Sequence, residues 1–243
     1  RSMAATLAGS RLSSAHRVAQ GRIAAAASVD LLRVWPLLDV EAIDSTVARW
    51  MDAALPIVDR HRRRSQELAR VYYEQLRRAE APDLDPIEVA ELRPLPTNQA
   101  ATSLLVTGPI AIKSGTAYDI ARAASAAAGA RQALSGGRDV ITDTASSDPE
   151  VKRLRRLTRS DCCHFCAMLA TRDQLPPFSG GHWFQAHDNC KCQPEPEWSA
   201  GARQSDVNAK FARIWRESTD GVGSSGYKKL NAFRRALAAE RAG

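Results

Sequence analysis

The five cysteines of this 243-residue chain all lie in one short stretch, 162–192. Cys163 and Cys166 form a C-x2-C pair, and His187, Cys190 and Cys192 follow as H-x2-C-x-C. Two tight turns that each carry such ligands can surround a tetrahedral ion, because thiolates and imidazole suit zinc. A short loop between the turns keeps the entropy cost of closure low. The spacing therefore predicts a structural zinc site that stabilises a loop-rich segment.

The favoured ligand set is Cys163, Cys166, His187 and Cys190. Cys192 competes with His187 for the fourth place, since shells with three or four thiolates both occur in structural zinc sites. Three further residues are expected at the periphery of the site: Cys162, His164 and His182.

Three other interpretations of the cysteines stay open at this point. They could be buried free thiols, or they could form one or two disulfides, although an odd number leaves at least one unpaired. Cys163 or Cys166 beside His187 could also be a nucleophile, but no orienting Asp or Asn is marked by the sequence. The metal-like spacing favours ligands over all three.

Elsewhere, helical periodicity dominates, so we expect a mainly α fold with long helices and little β. One apolar stripe recurs at three- and four-residue steps: Val40, Ile43, Val47, Trp50, Ala54 and Val58. Asp39 is a candidate cap for that helix, and Pro56 should bend or split it. Trp50, Val47 and Val58 should pack against another helix.

The predicted organisation has four parts. They are a helical N-terminal arm at 1–81, a proline-rich connector at 82–100, a central α(+β) region at 101–200 and a C-terminal helical pair at 201–243. The central region contains the cysteine module, 158–198. Residues 101–113 are the best strand-like run, and an alanine-rich helix should follow and end at Ser135-Gly136-Gly137.

The C-terminal pair has a predicted interface. Tyr227, Leu230, Phe233 and Leu237 share one helix face, and Phe211, Ile214 and Trp215 supply an apolar partner on the preceding helix. A flexible turn between the helices would let them pack antiparallel.

Charge and hydropathy narrow the possible partners. No apolar run of about 18 residues occurs, so we expect a soluble intracellular product with no membrane contact. The formal net charge is +7, which suits non-specific contact with DNA phosphates or with an acidic protein surface. The candidate contact residues are Arg62, Arg63, Arg64, Lys228, Lys229 and Arg235.

The segments "RLTRSDCCHFCAMLATRDQL" and "FQAHDNCKCQPEPEW" resemble the closing motif of phage Mu F-like minor head proteins. Over about residues 30–238 the chain is similar to the minor head proteins encoded beside the portal gene in actinobacteriophages. The doubled Cys162-Cys163 departs from the usual single pair and shifts the possible ligand register. The resemblance implies a structural virion protein inside the capsid near the portal vertex, assembled in the host cytoplasm. Its partners would be the portal protein, the major capsid or scaffold protein, and packaged DNA.

Members of that group are often labelled capsid maturation proteases. The five histidines form no pattern with serine or aspartate typical of a serine protease, and neither G-x-S-x-G nor H-E-x-x-H occurs. We therefore expect no catalytic residues and a head-assembly or packaging role. A capsid maturation protease and a non-specific DNA-binding virion protein are the alternatives.

Overall fold

The computed structural model describes residues 6–172, 184, 186–199 and 206–242. It confirms a mainly α fold with little β. The helices are α1 (Leu7–Val34), α2 (Ile43–Glu80), α3 (Thr97–Thr107), α4 (Pro109–Lys113), α5 (Tyr118–Ser147), α6 (His164–Leu169), α7 (Asp206–Thr219) and α8 (Gly226–Ala242). The two strands are β1 (Arg153–Leu157) and β2 (Gln193–Glu197).

The three long helices α1, α2 and α5 pack on one another and form the main body, with α3 against α5. The segment 1–81 is therefore not an arm of its own, because its two helices share their apolar faces with α5. Residues 81–96 are irregular, and the Ala90 amide donates to Thr144 Oγ1 of α5 (3.1 Å), which holds this connector against the bundle.

The alanine-rich helix α5 does not end at the Gly136-Gly137 pair, so that prediction was wrong. The glycines lie where α5 crosses α2. A Cβ on Gly137 would come within 2.6 Å of Ser65 Oγ, and one on Gly136 within 2.5 Å of Arg62 Cγ. Close helix contact, rather than a helix end, explains the pair. Ser65 also accepts from the Gly137 amide (3.1 Å).

The predicted stripe of α2 is confirmed at Trp50, which is 1% exposed and packs edge-to-face on Trp35 with 5.3 Å between ring centroids. Asp39 does not cap this helix, because α2 begins at Ile43 after Ala42 and without a side-chain cap. Pro56 does not split the helix, which runs unbroken with the proline on its exposed side.

The strand predicted for 101–113 is wrong, because α3 and α4 occupy it. Ala100 and Leu104 are the two buried positions of α3, spaced by one helical turn rather than alternating. Pro109 starts α4, where its missing N–H costs nothing.

The two strands pair antiparallel, from Arg153 opposite Glu197 to Leu157 opposite Gln193. Every residue of β2 is buried, against α5 on one side. Arg155 pairs with both Glu195 and Glu197, and Glu195 also accepts from Ser13 of α1. The ladder is therefore held to the bundle by charged and polar contacts.

After β2, Trp198 donates its indole N–H to Asp148 (2.9 Å), which also accepts from Arg77 Nε (2.9 Å) and Tyr73 Oη (3.3 Å). Burial alone would raise the pKa of Asp148, but the bonds from Arg77 and Trp198 hold this pKa below its usual value. The end of the ladder is thus fastened to α2 and to the end of α5.

The interface predicted for the C-terminal pair is confirmed. Phe233 is fully buried and packs edge-to-face on Trp215 at 5.3 Å, within a cluster that α6 also joins. Glu240 near the end of α8 pairs with Lys210 and Arg213 of α7 (both 3.0 Å), so the helices run antiparallel. Tyr227 departs from the prediction, since it is 76% exposed.

Candidate metal centre

The strand register explains why the two cysteine segments meet. Leu157 at the end of β1 lies opposite Gln193 at the start of β2. The chain therefore leaves β1 toward Cys162 and enters β2 from Cys192 at the same end of the ladder. An antiparallel pair thus brings together two turns that are distant along the chain.

The first turn of α6 positions the first pair of thiols. Cys163 is the N-cap residue, and its Sγ accepts from the Cys166 amide (3.4 Å). The cap places the Cys163 sulfur at the open end of the helix, and Cys166 lies one turn further on the same side. Cys163 is partly exposed, whereas Cys166 is buried.

The second turn supplies the imidazole and the other thiols. The Cys190 amide donates to the His187 carbonyl (3.0 Å), and Asn189 takes a left-handed conformation (φ 62°) that asparagine tolerates better than most residues. His187 Nδ1 lies 2.5 Å from the Asp188 carbonyl oxygen. A proton on Nδ1 satisfies that carbonyl and leaves Nε2 with a lone pair for a ligand bond.

The donor atoms of both turns converge. His187 Nε2 is 2.9 Å from Cys163 Sγ and 3.4 Å from Cys166 Sγ, and Cys166 Sγ is 3.5 Å from Cys190 Sγ. Two groups of three ligand atoms result, and they share Cys166. One is Cys163, Cys166 and His187, and the other is Cys166, Cys190 and Cys192.

This arrangement could hold a metal ion. Bonds of about 2.3 Å to sulfur and about 2.0 Å to nitrogen place tetrahedral donors about 3.5 to 3.8 Å apart. The two Cys166 separations, 3.4 and 3.5 Å, are close to this, and the 2.9 Å between Cys163 and His187 is shorter. Each of the five predicted ligands belongs to one of the two groups, but neither group contains four of them, so among the described residues the favoured set Cys163, Cys166, His187 and Cys190 is split between the two groups.

The peripheral residues and the alternatives can also be placed. Cys162 and His164 belong to neither ligand group, and His182 lies outside the described residues. All five cysteines are free thiols, so the disulfide alternative is not what the structure shows.

Two buried arginines surround the thiols. Arg138 of α5 donates from Nη2 to the Cys190 carbonyl (2.7 Å) and from Nε to the Cys192 carbonyl (3.2 Å). Arg156 of β1 approaches Cys166 Sγ at 4.0 Å, and both guanidinium groups lie over the Phe184 ring, at 5.5 and 3.8 Å from its centroid. Positive charge at this distance favours thiolates over thiols.

The thiols share their protons unequally. Bonds from Cys166 and Cys192, with Arg138 nearby, lower the pKa of Cys190 well below its usual value. The bond to Cys190 correspondingly raises the pKa of Cys166. The lowered pKa of Cys190 favours its thiolate, which is the form that a metal ion binds.

The sequence did not mark Arg138 or Arg156 as part of the site. The signal available was weak: Arg138 directly follows the glycine pair of α5, and Arg156 is one of three arginines in the five residues of β1. Arg131 was also missed, although it pairs with Asp188 (2.7 Å) and so fixes the turn that carries His187.

The VG15 protein family matches residues 9–218 of the chain. The chain belongs to the VG15 family. This is a viral family, and membership indicates a phage protein related to the virion. The match runs from α1 through most of α7, so the matched region contains both the bundle and the cysteine module. Searches of curated proteins and of solved structures gave no significant match.

In this VG15 member the predicted phosphate-contact residues have different surroundings. Arg62 is corrected: it is 1% exposed, and its guanidinium donates to Asp139 (2.7 Å) and Ser135 (2.7 Å) of α5. Arg63, Arg64, Lys228 and Arg235 are exposed, and Lys229 is partly exposed. No helix among the described residues has the length and apolarity needed to cross a membrane.

Proposed function

We propose that this VG15 protein is a structural minor head protein of a tailed phage, located inside the capsid near the portal vertex. It would assist head assembly or genome packaging and delivery. The observation that carries the proposal is the convergence of Cys163, Cys166, His187, Cys190 and Cys192 at the joint between bundle and ladder. The resemblance to Mu F-like proteins rests on these same residues, and the family match supports a phage origin.

We further propose zinc as the ion, bound by Cys166 and Cys190 with two of the remaining three ligands. A zinc ion with nitrogen and sulfur ligands would supply folding energy to a segment with little apolar core of its own. The cluster offers more protein ligands than one tetrahedral ion needs, whereas catalytic zinc sites keep one position for water. A structural role therefore fits this site better than hydrolysis.

The portal protein and the major capsid or scaffold protein are the proposed partners. Phage particles carrying an affinity tag on this protein would be purified, and in-particle crosslinks would be mapped by mass spectrometry. The proposal expects the protein in mature heads with crosslinks to the portal. Full-titre particles that lack the protein would refute it.

The same material tests the protease alternative. Purified protein would be incubated with the capsid precursor, alongside a variant with Cys163→Ser and Cys166→Ser. The structural role expects no cleavage by either protein. Cleavage by the native protein alone would favour the protease.

Non-specific DNA contact is a second candidate, favoured by the exposed cations on α2 and α8. Arg64, Lys228 and Arg235 have no ion-pair partner among the described residues. Charge reversal at Lys228, Lys229 and Arg235 should leave the fold intact and weaken DNA retention at low salt, with a smaller difference at high salt. Equal retention by the variant would assign these residues to the ordinary solvated surface.

A further inference from the structure

A second polar cavity lies beside the metal centre, between α2, α5 and the chain before α3. It is separate from the space that the cysteines line. Its lining includes six charged or hydrogen-bonding residues: Arg62, Arg93, Arg131, Gln132, Arg138 and Asp139. Four guanidinium groups at one cavity are unusual, because like charges repel unless other groups or a ligand compensate them.

Three of these residues carry buried nitrogen atoms that have no partner among the described residues. They are Arg62 Nε, Gln132 Nε2 and Arg138 Nη1. Each of the three residues is at most 2% exposed. All three atoms are N–H donors, and buried donors are rarely left unpaired in folded proteins. The cavity wall thus needs hydrogen-bond acceptors.

The charges at the wall are only partly balanced by the protein. Arg62 pairs with Asp139 (2.7 Å), Arg131 with Asp188 (2.7 Å) and Arg93 with Asp143 (2.9 Å).

Arg138 differs from the other three arginines. It contacts backbone carbonyls and the Phe184 ring, with no carboxylate partner among the described residues. The buried wall therefore carries one guanidinium without a carboxylate partner among the described residues. Its nearest negative charge would be the Cys190 thiolate on the other side.

We propose that this cavity binds a phosphate-type oxoanion. Phosphate oxygens would accept from Gln132 Nε2 and Arg138 Nη1, the wall donors without a partner among the described residues whose side chains are not already tied to a carboxylate. Arg93 is 59% exposed at its side chain and stands at the rim, where it would attract the anion. The source of the phosphate group is either a free ion or the backbone of DNA, and the experiment below separates the two.

The test follows thermal unfolding of the full-length, metal-loaded protein in inorganic phosphate against chloride at equal ionic strength. Binding to the folded state raises the midpoint with increasing phosphate. Gln132→Glu keeps the side-chain shape but replaces a donor by a negative charge, so it should weaken phosphate binding by about tenfold or more. Gln75→Glu makes the same change at an exposed site of α2 outside the cavity and should bind phosphate as the native protein does.

Arg93→Gln gives an independent variant that leaves the buried wall untouched, and it should also reduce the phosphate-dependent shift. The proposal is overturned if phosphate gives no shift beyond chloride, or if Gln132→Glu and Arg93→Gln both respond like Gln75→Glu. A short DNA duplex then identifies the source. If phosphate competes the duplex off the native protein and Gln132→Glu abolishes duplex retention, the site binds DNA backbone phosphate. If duplex retention is unaffected by either, the site binds the free ion.

Discussion

The helix bundle and the cysteine module are stabilised by different kinds of contact. The bundle buries Trp35, Trp50, Tyr73 and many alanines between long helices. The described part of the module instead brings together thiols, an imidazole, arginines and glutamates around two five-residue strands. Apolar burial needs no ligand, whereas clustered thiols and charges gain most of their stability when an ion and counter-charges complete them. The two regions should therefore respond to different perturbations.

Removing the metal should give the largest difference in stability between the cysteine module and the bundle. Cys163→Ser with Cys166→Ser leaves too few ligands for a closed shell, and structural zinc contributes about 10 kcal/mol or more in small domains. We expect about one zinc per native chain and none in the variant. Hydrogen exchange should then rise in 158–172 and 186–198 while α2 and α5 stay protected.

Cys162→Ser is the matched control, because Cys162 belongs to neither ligand group. It should keep its zinc. If elemental analysis finds no metal in native protein purified under reducing conditions, the module is not stabilised by zinc and the contrast with the bundle fails.

The converse perturbation is Trp50→Ala in the bundle. Loss of a fully buried indole should lower the free energy of unfolding by about 3–5 kcal/mol, measured by urea denaturation. Val40→Ala, at a 44% exposed position just before α2, should change it little. Zinc content should stay at the native level, since the indole packs in an apolar cluster that contains none of the candidate ligands. Equal stability of both variants would contradict the assigned core.

Phe233→Ala tests the link between the module and the C-terminal helices. Phe233 packs with Trp215 and with residues of α6, so its loss should cost about 3–5 kcal/mol and loosen the helix that carries Cys166. Tyr227→Ala is the control on the same helix, because its ring is 76% exposed. If exchange in α6 were the same in the two variants, the helices would not support the module.

Gly137→Ala probes the crossing of α2 and α5 at a finer scale. The added methyl would meet Ser65 at 2.6–2.7 Å, so we expect a loss of about 1–3 kcal/mol. Gly21→Ala, inside α1 with nothing within 4 Å, should instead stabilise the protein by about 0.5–1 kcal/mol. Calorimetric midpoints moving in the same direction would mean that close packing does not explain the glycine.

The smallest expected effect concerns pH. His16 is buried, stacked on Tyr72 at 4.1 Å, and burial lowers its pKa from 6.5 to about 3. As the pH falls, His16 becomes protonated in the unfolded chain before it does in the folded protein. The stability that neutral His16 contributes is therefore complete above pH 6.5 and is lost as the pH falls toward 3. Between pH 7 and 5.5 the loss should be about 1 kcal/mol.

His16→Phe keeps a ring on Tyr72 and removes the titration. Urea midpoints of the native protein and the variant are compared at the two pH values. The difference between them isolates the His16 contribution from any protonation of the cysteine module. An identical pH dependence for both proteins would contradict a neutral, buried His16.

Local signals accounted for the site better than for its surroundings. The spacing of Cys163, Cys166, His187 and Cys190 predicted the cluster because close pairs of ligands need little from the rest of the fold. The β1–β2 pairing that brings them together was not predicted. Gln193–Glu197 contains two prolines and two glutamates, which have low strand propensity. The buried carboxylates are balanced by Arg153 and Arg155, and Ser13 donates to Glu195.

The sequence alone determined the helical character, the apolar stripe through Trp50, the packing of Phe233 and the chemistry of the cysteine cluster. Each depends on residue type and on spacing within a few turns. Tertiary structure alone decided that Arg62 turns inward to Asp139, that Gly136-Gly137 continues α5, and that Arg138 supports the thiols. Those outcomes depend on which helix crosses at that point, and no local pattern records the identity of a neighbour that is distant along the chain.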